Sequence, residues 1–194
     1  DYVLGLTLVN GKGELLTFGG QVMKNVAGYD VSRLLAGSLG VLGVLCEVSL
    51  KVLPVPVATT TLRFELHEAA ALRQLNLWAG QPLPLNASAW WSDMLVLRLS
   101  GAAAAVQAAA RKLGGEVVDP ALAAAFWTGL RDQTDEFFDG AVRAVAGGAT
   151  LWRLSVAPSA PPLGLTGEQM VEWGGGQRWV VTTAAPATLR EAAA

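Results

Sequence analysis

A chain of 194 residues with 52% hydrophobic and 15% charged residues has enough apolar content for a folded core, which excludes a disordered segment. A formal net charge of −2 and the lack of lysine or arginine runs argue against nucleic-acid binding. One cysteine cannot form an internal disulfide, no apolar run has the length of about 18 residues that a membrane span needs, and no signal segment is evident, so we expect a cytoplasmic protein.

The amino-terminal residues predict a hairpin. Residues Val3–Val9 alternate between apolar and polar side chains, Asn10–Gly13 has the composition of a tight turn, and Glu14–Phe18 returns as a second strand. The chain opens within the first of these strands and without an initiator methionine, and it closes on Pro186–Ala194, which indicates the start of a helix without its end. We therefore expect an excised fragment of a longer protein.

A glycine-rich segment between residues 19 and 43 is the most informative part of the chain. Asp30 is placed to cap a short helix, and Gly37 is placed to end it. Gly37–Gly40 predicts a loop, and the alternation over Val44–Leu53 predicts a half-buried strand. Glycine permits positive φ angles and leaves its peptide open to a flat or anionic ligand. Spacing alone also fits ordinary turn formation, because the segment is not a G-x-G-x-x-G motif.

Prolines at positions 54 and 56 end this first unit, so we place a domain boundary between residues 1–56 and 57–194. The second unit has the order strand, helix, strand, strand, helix, strand, which is typical of a ferredoxin-like antiparallel sheet with helices on one face. The predicted fold class is therefore α+β. The predicted elements are a strand at 62–66, a helix at 68–79, a hairpin of 88–91 with 94–99, a helix at 102–113, a short strand at 116–118, a helix from 120 to 130, a strand at 150–156, and a hairpin of 169–173 with 177–182.

Two parts of the chain resemble a known family. Lys24-Asn25-Val26-Ala27-Gly28-Tyr29-Asp30, followed by Gly37-Ser38-Leu39-Gly40-Val41-Leu42-Gly43-Val44, closely resembles the KN…GYD…GS.G.LGV stretch of FAD-linked oxidases. These are flavoproteins with the fold of p-cresol methylhydroxylase and vanillyl-alcohol oxidase. Within that superfamily the segment looks most like the FAD-binding subunit of bacterial glycolate oxidases, and residues 151–156 and 172–179 resemble the carboxy-terminal region of the same subunit.

The resemblance implies a fold and a cofactor. Residues 1–56 would be the second half of a PCMH-type FAD-binding domain, and residues 57–194 would be a ferredoxin-like cap domain. The family's turn that grips the FAD pyrophosphate would lie in an amino-terminal half that this chain lacks, so we expect the chain alone to bind FAD weakly or not at all. The cofactor-binding residues carried over from the resemblance are Lys24, Asn25, Tyr29, Gly37, Ser38, Gly40, Gly43, Val44 and Leu45. For Lys24, Asn25 and Tyr29, the alternative is a solvated loop in which the tyrosine serves as a packing anchor.

The resemblance also implies an activity, which is oxidation of glycolate or a similar small 2-hydroxy acid by hydride transfer to flavin. It implies two partners, a second flavin subunit and an iron–sulfur subunit, and through them a peripheral position at the inner membrane. We expect the chain alone to be inactive. Two alternatives stay open. One is a structural or electron-relay flavin subunit that does no substrate chemistry, and the other is a stand-alone D-lactate-type dehydrogenase.

The sequence does not identify a catalytic base. A 2-hydroxy acid oxidase needs a base for the hydroxyl proton and a cation for the carboxylate. Arg98, Arg153 and Arg178 are candidates for the cation, and a surface or ion-pair role is the alternative for each. His67, the only histidine, is expected at the surface near a helix start, and no residues have the spacing of metal ligands.

Cysteine and tryptophan have structural roles in the simplest interpretation. Cys46 is expected to be a small buried residue beside the loop, with a covalent flavin link as the alternative. The tryptophans in or beside predicted elements are expected in the core, with a partner interface as the alternative. They are Trp90, Trp91, Trp127, Trp152, Trp173 and Trp179.

Overall fold

The computed structural model describes residues 2–20 and 28–194 of the chain. The chain divides into two compact units, Asp1–Val55 and Pro56–Ala194. In neither unit do the described residues include a helix that is long and apolar enough to cross a membrane.

The first unit is a three-stranded antiparallel sheet with one short helix. β1 (Val3–Val9) lies between β2 (Leu15–Gly19) and β3 (Val44–Leu50), and α1 (Val31–Leu34) packs on β1 and β2. The predicted hairpin of β1 and β2 is confirmed, and Asn10 closes its turn by accepting two backbone N–H groups. The core of this unit consists of Leu6, Leu8 and Leu35, with Leu16, Phe18 and Val31 packed against them.

The predicted strand beginning at Val44 is confirmed, but the predictions that it is half-buried and that it runs to Leu53 are wrong. β3 ends at Leu50, and among its seven residues only Ser49 is partly buried. The reason is that α1 packs on β1 and β2, so the described residues leave both faces of this edge strand open. Burial of β3 cannot be inferred from its alternation, because it depends on what covers the strand.

A β-bulge in β3 also shifts the alternation. Leu45 pairs with Leu8 and Glu47 pairs with Thr7, so Cys46 between them has no partner in β1. The bulge places Leu45, in the position that regular alternation would give to Cys46, opposite the buried Leu8. Cys46 is exposed, which corrects the prediction that it is buried.

The second unit is built on a seven-stranded antiparallel sheet. Its strands are β4 (Ala58–Glu65), β5 (Leu85–Trp91), β6 (Met94–Gly101), β7 (Glu116–Val117), β8 (Thr150–Ser155), β9 (Glu168–Glu172) and β10 (Gln177–Thr182). Its helices are α2 (Glu68–Ala79), α3 (Ala103–Leu113), α4 (Pro120–Asp132), α5 (Glu136–Ala146) and α6 (Pro186–Ala192), with a 3₁₀ turn at Trp173–Gly175.

The strand order confirms a ferredoxin-like arrangement. The sheet order is β7-β4-β6-β5-β9-β10-β8, so the first four strands of this unit lie in the order fourth, first, third, second, with α2 and α3 as their connections. β9, β10 and β8 extend the sheet beyond β5. The predicted α+β class is confirmed.

Helices cover both faces of this sheet. Adjacent residues of a strand point to opposite faces, and Trp90 of β5 belongs to the core under α2 and α3 whereas Ala89 belongs to the core under α4 and α5. Val171 and Met170 of β9 divide in the same way. The sequence predicted helices on one face, and the difference arises from α4 and α5, which cover the other.

α5 begins at an aspartate that is partly buried. Asp135 Oδ1 accepts the N–H of Phe138 at 3.2 Å and caps the helix. Burial raises the pKa of Asp135 above its ordinary value, although the backbone hydrogen bonds oppose this shift. The helix then buries Phe137, Phe138 and Ala141 against the sheet.

We expect Asp135→Asn to maintain or increase stability at neutral pH, and Asp135→Ala to lower the free energy of unfolding by about 1 kcal/mol. Asparagine keeps the capping oxygen without the buried charge. Because the folded pKa is raised, the pH-dependent part of the stability that Asp135 contributes is fully present below its unfolded pKa and is lost as the pH rises through the folded pKa. The advantage of asparagine should therefore disappear at acidic pH. Melting temperatures at acidic and neutral pH test this, and an advantage that grows on acidification would contradict it.

Candidate functional site

Asp30 caps the start of α1, the short helix that precedes the glycine-rich loop. Its Oδ1 accepts the N–H of Arg33 at 3.2 Å and the hydroxyl of Ser32 at 3.0 Å, and its carboxylate pairs with the Arg33 guanidinium. The Arg33 N–H, the Ser32 hydroxyl and the Arg33 charge hold the pKa of Asp30 below its ordinary value. The short helix is thereby fixed at its start, as the sequence predicted.

Two consecutive turns connect α1 to β3. The N–H of Ser38 donates to the carbonyl of Leu35 at 3.2 Å, and the N–H of Val41 donates to the carbonyl of Ser38 at 3.1 Å. Leu39 (φ +52°) and Gly40 (φ +81°) occupy the centre of the second turn, which is typical of a type I′ turn. A leucine at positive φ costs about 1–3 kcal/mol, and strain of this kind often marks a functional segment.

The glycines of this loop are required for different reasons. A Cβ on Gly43 (φ +151°) would lie 2.6 Å from the carbonyl oxygen of Val9 and 2.7 Å from Leu8 Cδ1, so the close approach to β1 excludes a side chain. Gly37 and Gly40 have φ +81°, and a Cβ on either would meet no described atom within 4 Å. Their backbone conformation favours glycine, and the space in front of them is open to a ligand.

Apolar side chains surround the open glycines. Leu39 is 95% exposed, and Val44 and Leu45 continue this surface into β3. In the described part of the chain, the N–H groups of Leu39 and Gly40 have no backbone acceptor. Residues 37–45 contain no ionisable side chain. The loop is therefore suited to hold a flat group by peptide hydrogen bonds and apolar contacts, and it supplies no ionisable acid or base.

The structure brings most of the predicted cofactor-binding residues into one segment. Tyr29 is 96% exposed beside a shallow cavity of about 280 Å³ at the start of α1. Lys24 and Asn25 lie outside the described residues. The remaining predicted residues all lie in the continuous segment from residue 37 to residue 45, which leads from the loop into β3. They are Gly37, Ser38, Gly40, Gly43, Val44 and Leu45.

The three candidate arginines have different environments. Arg178 is 1% exposed, pairs with Glu68 and donates to two backbone carbonyls. The ion-pair interpretation therefore applies to Arg178, and its role as a substrate-binding cation is excluded. Arg153 is exposed on β8. Arg98 is half-buried and stacks on Trp127.

His67 is a surface residue, as predicted. Its Nδ1 lies 3.1 Å from Asp93 Oδ1, and its side chain makes no capping hydrogen bond to α2. Across residues 2–20 and 28–194, no group of three histidine, cysteine, aspartate or glutamate residues is arranged to hold a metal ion.

Trp173 corrects the expectation that the tryptophans are in the core. Trp173 is 75% exposed and its φ is +51°. It begins the turn Trp173–Gly175, in which Gly174 also has positive φ. Trp90 and Trp179 are buried, as expected. Sequence reasoning missed Leu39 and Trp173 as strained residues, and no sequence signal marks a bulky residue at positive φ.

Comparisons with known proteins support the resemblance. The chain is 46% identical to glycolate oxidase subunit GlcE of Escherichia coli (strain K12) over 184 residues, which cover 95% of this chain and 49% of that protein. It is 40% identical to glycolate oxidase subunit GlcD of Bacillus subtilis (strain 168) over 86 residues, which cover 43% of this chain and 18% of that protein. No protein-family model matches the chain.

A solved structure shares the fold. Alkyldihydroxyacetonephosphate synthase matches with a TM-score of 0.61 and 10% sequence identity, over 99% of this chain and 48% of that one. At this identity the match concerns the fold alone. The chain spans about half the length of GlcE, and its resemblance to a bacterial glycolate oxidase subunit is confirmed.

Proposed function

We propose that this chain forms part of the FAD-binding subunit of an oxidase that converts glycolate, or a similar small 2-hydroxy acid, to the 2-oxo acid. Residues 1–56 would contribute to the FAD-binding domain and residues 57–194 would form the cap domain. The observation that carries this proposal is the 46% identity to GlcE, whose matched region spans 95% of the chain and includes the loop with the open glycines.

The loop residues fit a flavin cofactor. Peptides at Gly37 and Gly40 have open space in front of them, and the exposed Leu39, Val44 and Leu45 offer an apolar surface to a flat ring system. Ser38 and Gly43 would hold this segment in position, and Lys24, Asn25 and Tyr29 would approach the flavin end. Bound FAD would supply the acceptor for a hydride from the substrate.

The proposed partners are a second flavin subunit and an iron–sulfur subunit, with attachment to the inner membrane through them. GlcD, the other glycolate oxidase subunit among the relatives, supports an assembly of several chains.

One observation favours a second candidate, a flavin subunit with a structural or electron-relay role. The loop from residue 37 to residue 45 has no side chain that could act as a base. Turnover of glycolate by the purified subunit with an artificial electron acceptor would exclude this candidate. A stand-alone D-lactate-type dehydrogenase is a third, supported by 40% identity over 62 residues to D-lactate dehydrogenase of Anaerostipes hadrus, and comparison of glycolate with D-lactate as substrates tests it.

In the full-length protein, Gly40→Val is expected to lower the affinity for FAD roughly ten- to a hundredfold. A side chain at this position would occupy the space in front of the peptide or displace the turn. Gly13→Val is a matched control, because Gly13 (φ +78°) also has no described atom within 4 Å of an added Cβ but lies in the β1–β2 turn. Bound FAD per folded molecule, measured by absorbance, is the readout.

Both variants should lose similar stability, since both place valine at a similar positive φ. The site assignment would be contradicted if Gly40→Val, Gly13→Val and the parent protein had equal FAD content while both variants had lowered melting temperatures. The glycines of the loop would then only allow the chain to turn. A parent protein without flavin, even after FAD is added, would contradict the proposed function itself.

A further inference from the structure

A cavity of about 610 Å³ lies between α4 and the sheet of the second unit, and no residue proposed to contact the flavin is among its described lining residues. Strand β4 contributes hydroxyl groups to one side, and α4 contributes small apolar residues to the other. Its size is in the range of small-molecule pockets. Its lining includes Thr61, Arg98, Val118, Ala123, Trp127 and Arg131.

Arg98 brings a positive charge to this cavity without an ion-pair partner in the described parts of the chain. Its Nε donates to Asn86 Oδ1 at 2.6 Å, and its guanidinium carbon lies 4.8 Å from the centre of the Trp127 ring. Both partners are neutral. Burial lowers the pKa of Arg98, and no described carboxylate opposes this shift.

The other arginine of the cavity is compensated. Arg131 forms two contacts with Asp132, from Nε at 2.8 Å and from Nη2 at 3.0 Å. Arg98 is therefore the arginine of the cavity that is expected to form an ion pair with a bound anion. A partly desolvated cation without an ionic partner is costly, and an anionic ligand would offset that cost.

The platform that carries Arg98 is held in place before any ligand arrives. The indole N–H of Trp127 donates to Thr61 Oγ1 at 3.0 Å, and Thr61 is 3% exposed. Phe126 packs edge-on against Trp127 with ring centres 4.9 Å apart. A fixed aromatic ring beneath a guanidinium limits the side-chain freedom that binding would otherwise remove.

We propose that this cavity binds an organic carboxylate with an apolar body, with the carboxylate paired to Arg98 and the body against Val118, Ala123 and Trp127. A ligand that is polar throughout, such as glycolate, would leave the apolar contacts to Val118, Ala123 and Trp127 unused. The proposal rests on residues 56–194 alone and does not depend on the proposed flavin function.

Titration with phenylacetate, followed through the indole N–H signal of Trp127 by heteronuclear NMR, tests the proposal. We expect saturable binding, a loss of roughly ten- to a hundredfold in affinity for Arg98→Gln, and a smaller loss for Arg98→Lys, which keeps the charge. Arg131→Gln should change affinity by no more than about twofold, because its charge is already paired. Phenylacetamide and glycolate should each bind more weakly than phenylacetate, since one lacks the charge and the other lacks the apolar body.

Several results would overturn the proposal. They are no shift of the Trp127 signal with phenylacetate, equal affinities for phenylacetate and phenylacetamide, and equal losses for Arg98→Gln and Arg131→Gln. Glycolate binding as tightly as phenylacetate would show that the apolar lining makes no contribution. A melting temperature of Arg98→Gln close to the parent value establishes that any lost binding is local. Flavin content can be measured on the same samples, so a failure here is distinguishable from a failure of the proposed function.

Discussion

Arg178→Met is expected to lower the free energy of unfolding of residues 56–194 by about 3–5 kcal/mol, because it removes one partner of a buried ion pair. Arg178 donates to the carbonyl oxygens of Gly175 at 2.7 Å and Ala160 at 3.0 Å, and its Nη1 lies 3.2 Å from Glu68 Oε1. Methionine would fill part of the volume but would leave these three acceptors without their donor. Urea unfolding measured by circular dichroism gives the value.

Arg153→Met is the matched control, since Arg153 is exposed on the neighbouring strand β8, and its effect should stay within about 0.5 kcal/mol. Acid should reduce the loss in Arg178→Met. Burial raises the pKa of Glu68 although Arg178 opposes the shift, so Glu68 becomes neutral early on acidification and then needs no counter-charge. A loss that is equal in both variants, or that grows at acidic pH, would contradict the assigned role of the pair.

Gly43→Val is expected to destabilise the first unit by about 3 kcal/mol, and to do so whether or not a cofactor binds there. The added Cβ would overlap the carbonyl oxygen of Val9 at 2.6 Å, at the point where Val9 pairs with Val44. The pairing of β1 with β3 should therefore open. Hydrogen exchange of the β1 amides measures the effect, which should appear as faster exchange along this strand.

Gly40→Ala serves as the comparison for Gly43→Val. Its Cβ has open space, and its φ is also positive, so it should show the cost of the backbone conformation without the overlap. Equal exchange rates in the two variants would mean that the contact with Val9 does not require glycine. The assignment of Gly43 as a packed position and Gly40 as an open one would then be contradicted.

Local patterns were sufficient to predict most elements of the second unit. Periodicity, with Gly80 as the stop, predicted α2 with its observed bounds, and Asp119 followed by proline predicted the start of α4. The ferredoxin-like strand order followed from the sequence of elements. α5 was not predicted, although Asp135 as a cap and the paired Phe137 and Phe138 are signals of the same kind.

Features that depend on distant parts of the chain could not be predicted. Arg178 and Glu68 are separated by 110 positions, so their pairing is a consequence of the fold and not of a local pattern. The same applies to Arg98 and Trp127, which approach only when α4 packs on the sheet. In the first unit, the exposure of β3 follows from which elements cover it, and the bulge at Cys46 is invisible to an alternation rule.

The bulge in β3 makes Cys46 a natural reporter position. It is the only cysteine of the chain, it is exposed, and it lies between Leu45, the last residue proposed to contact the cofactor, and Glu47. A maleimide-linked fluorophore would therefore attach at one known point without any engineered substitution. Alkylation requires access of the reagent to the thiol, so any molecule that covers β3 should slow it.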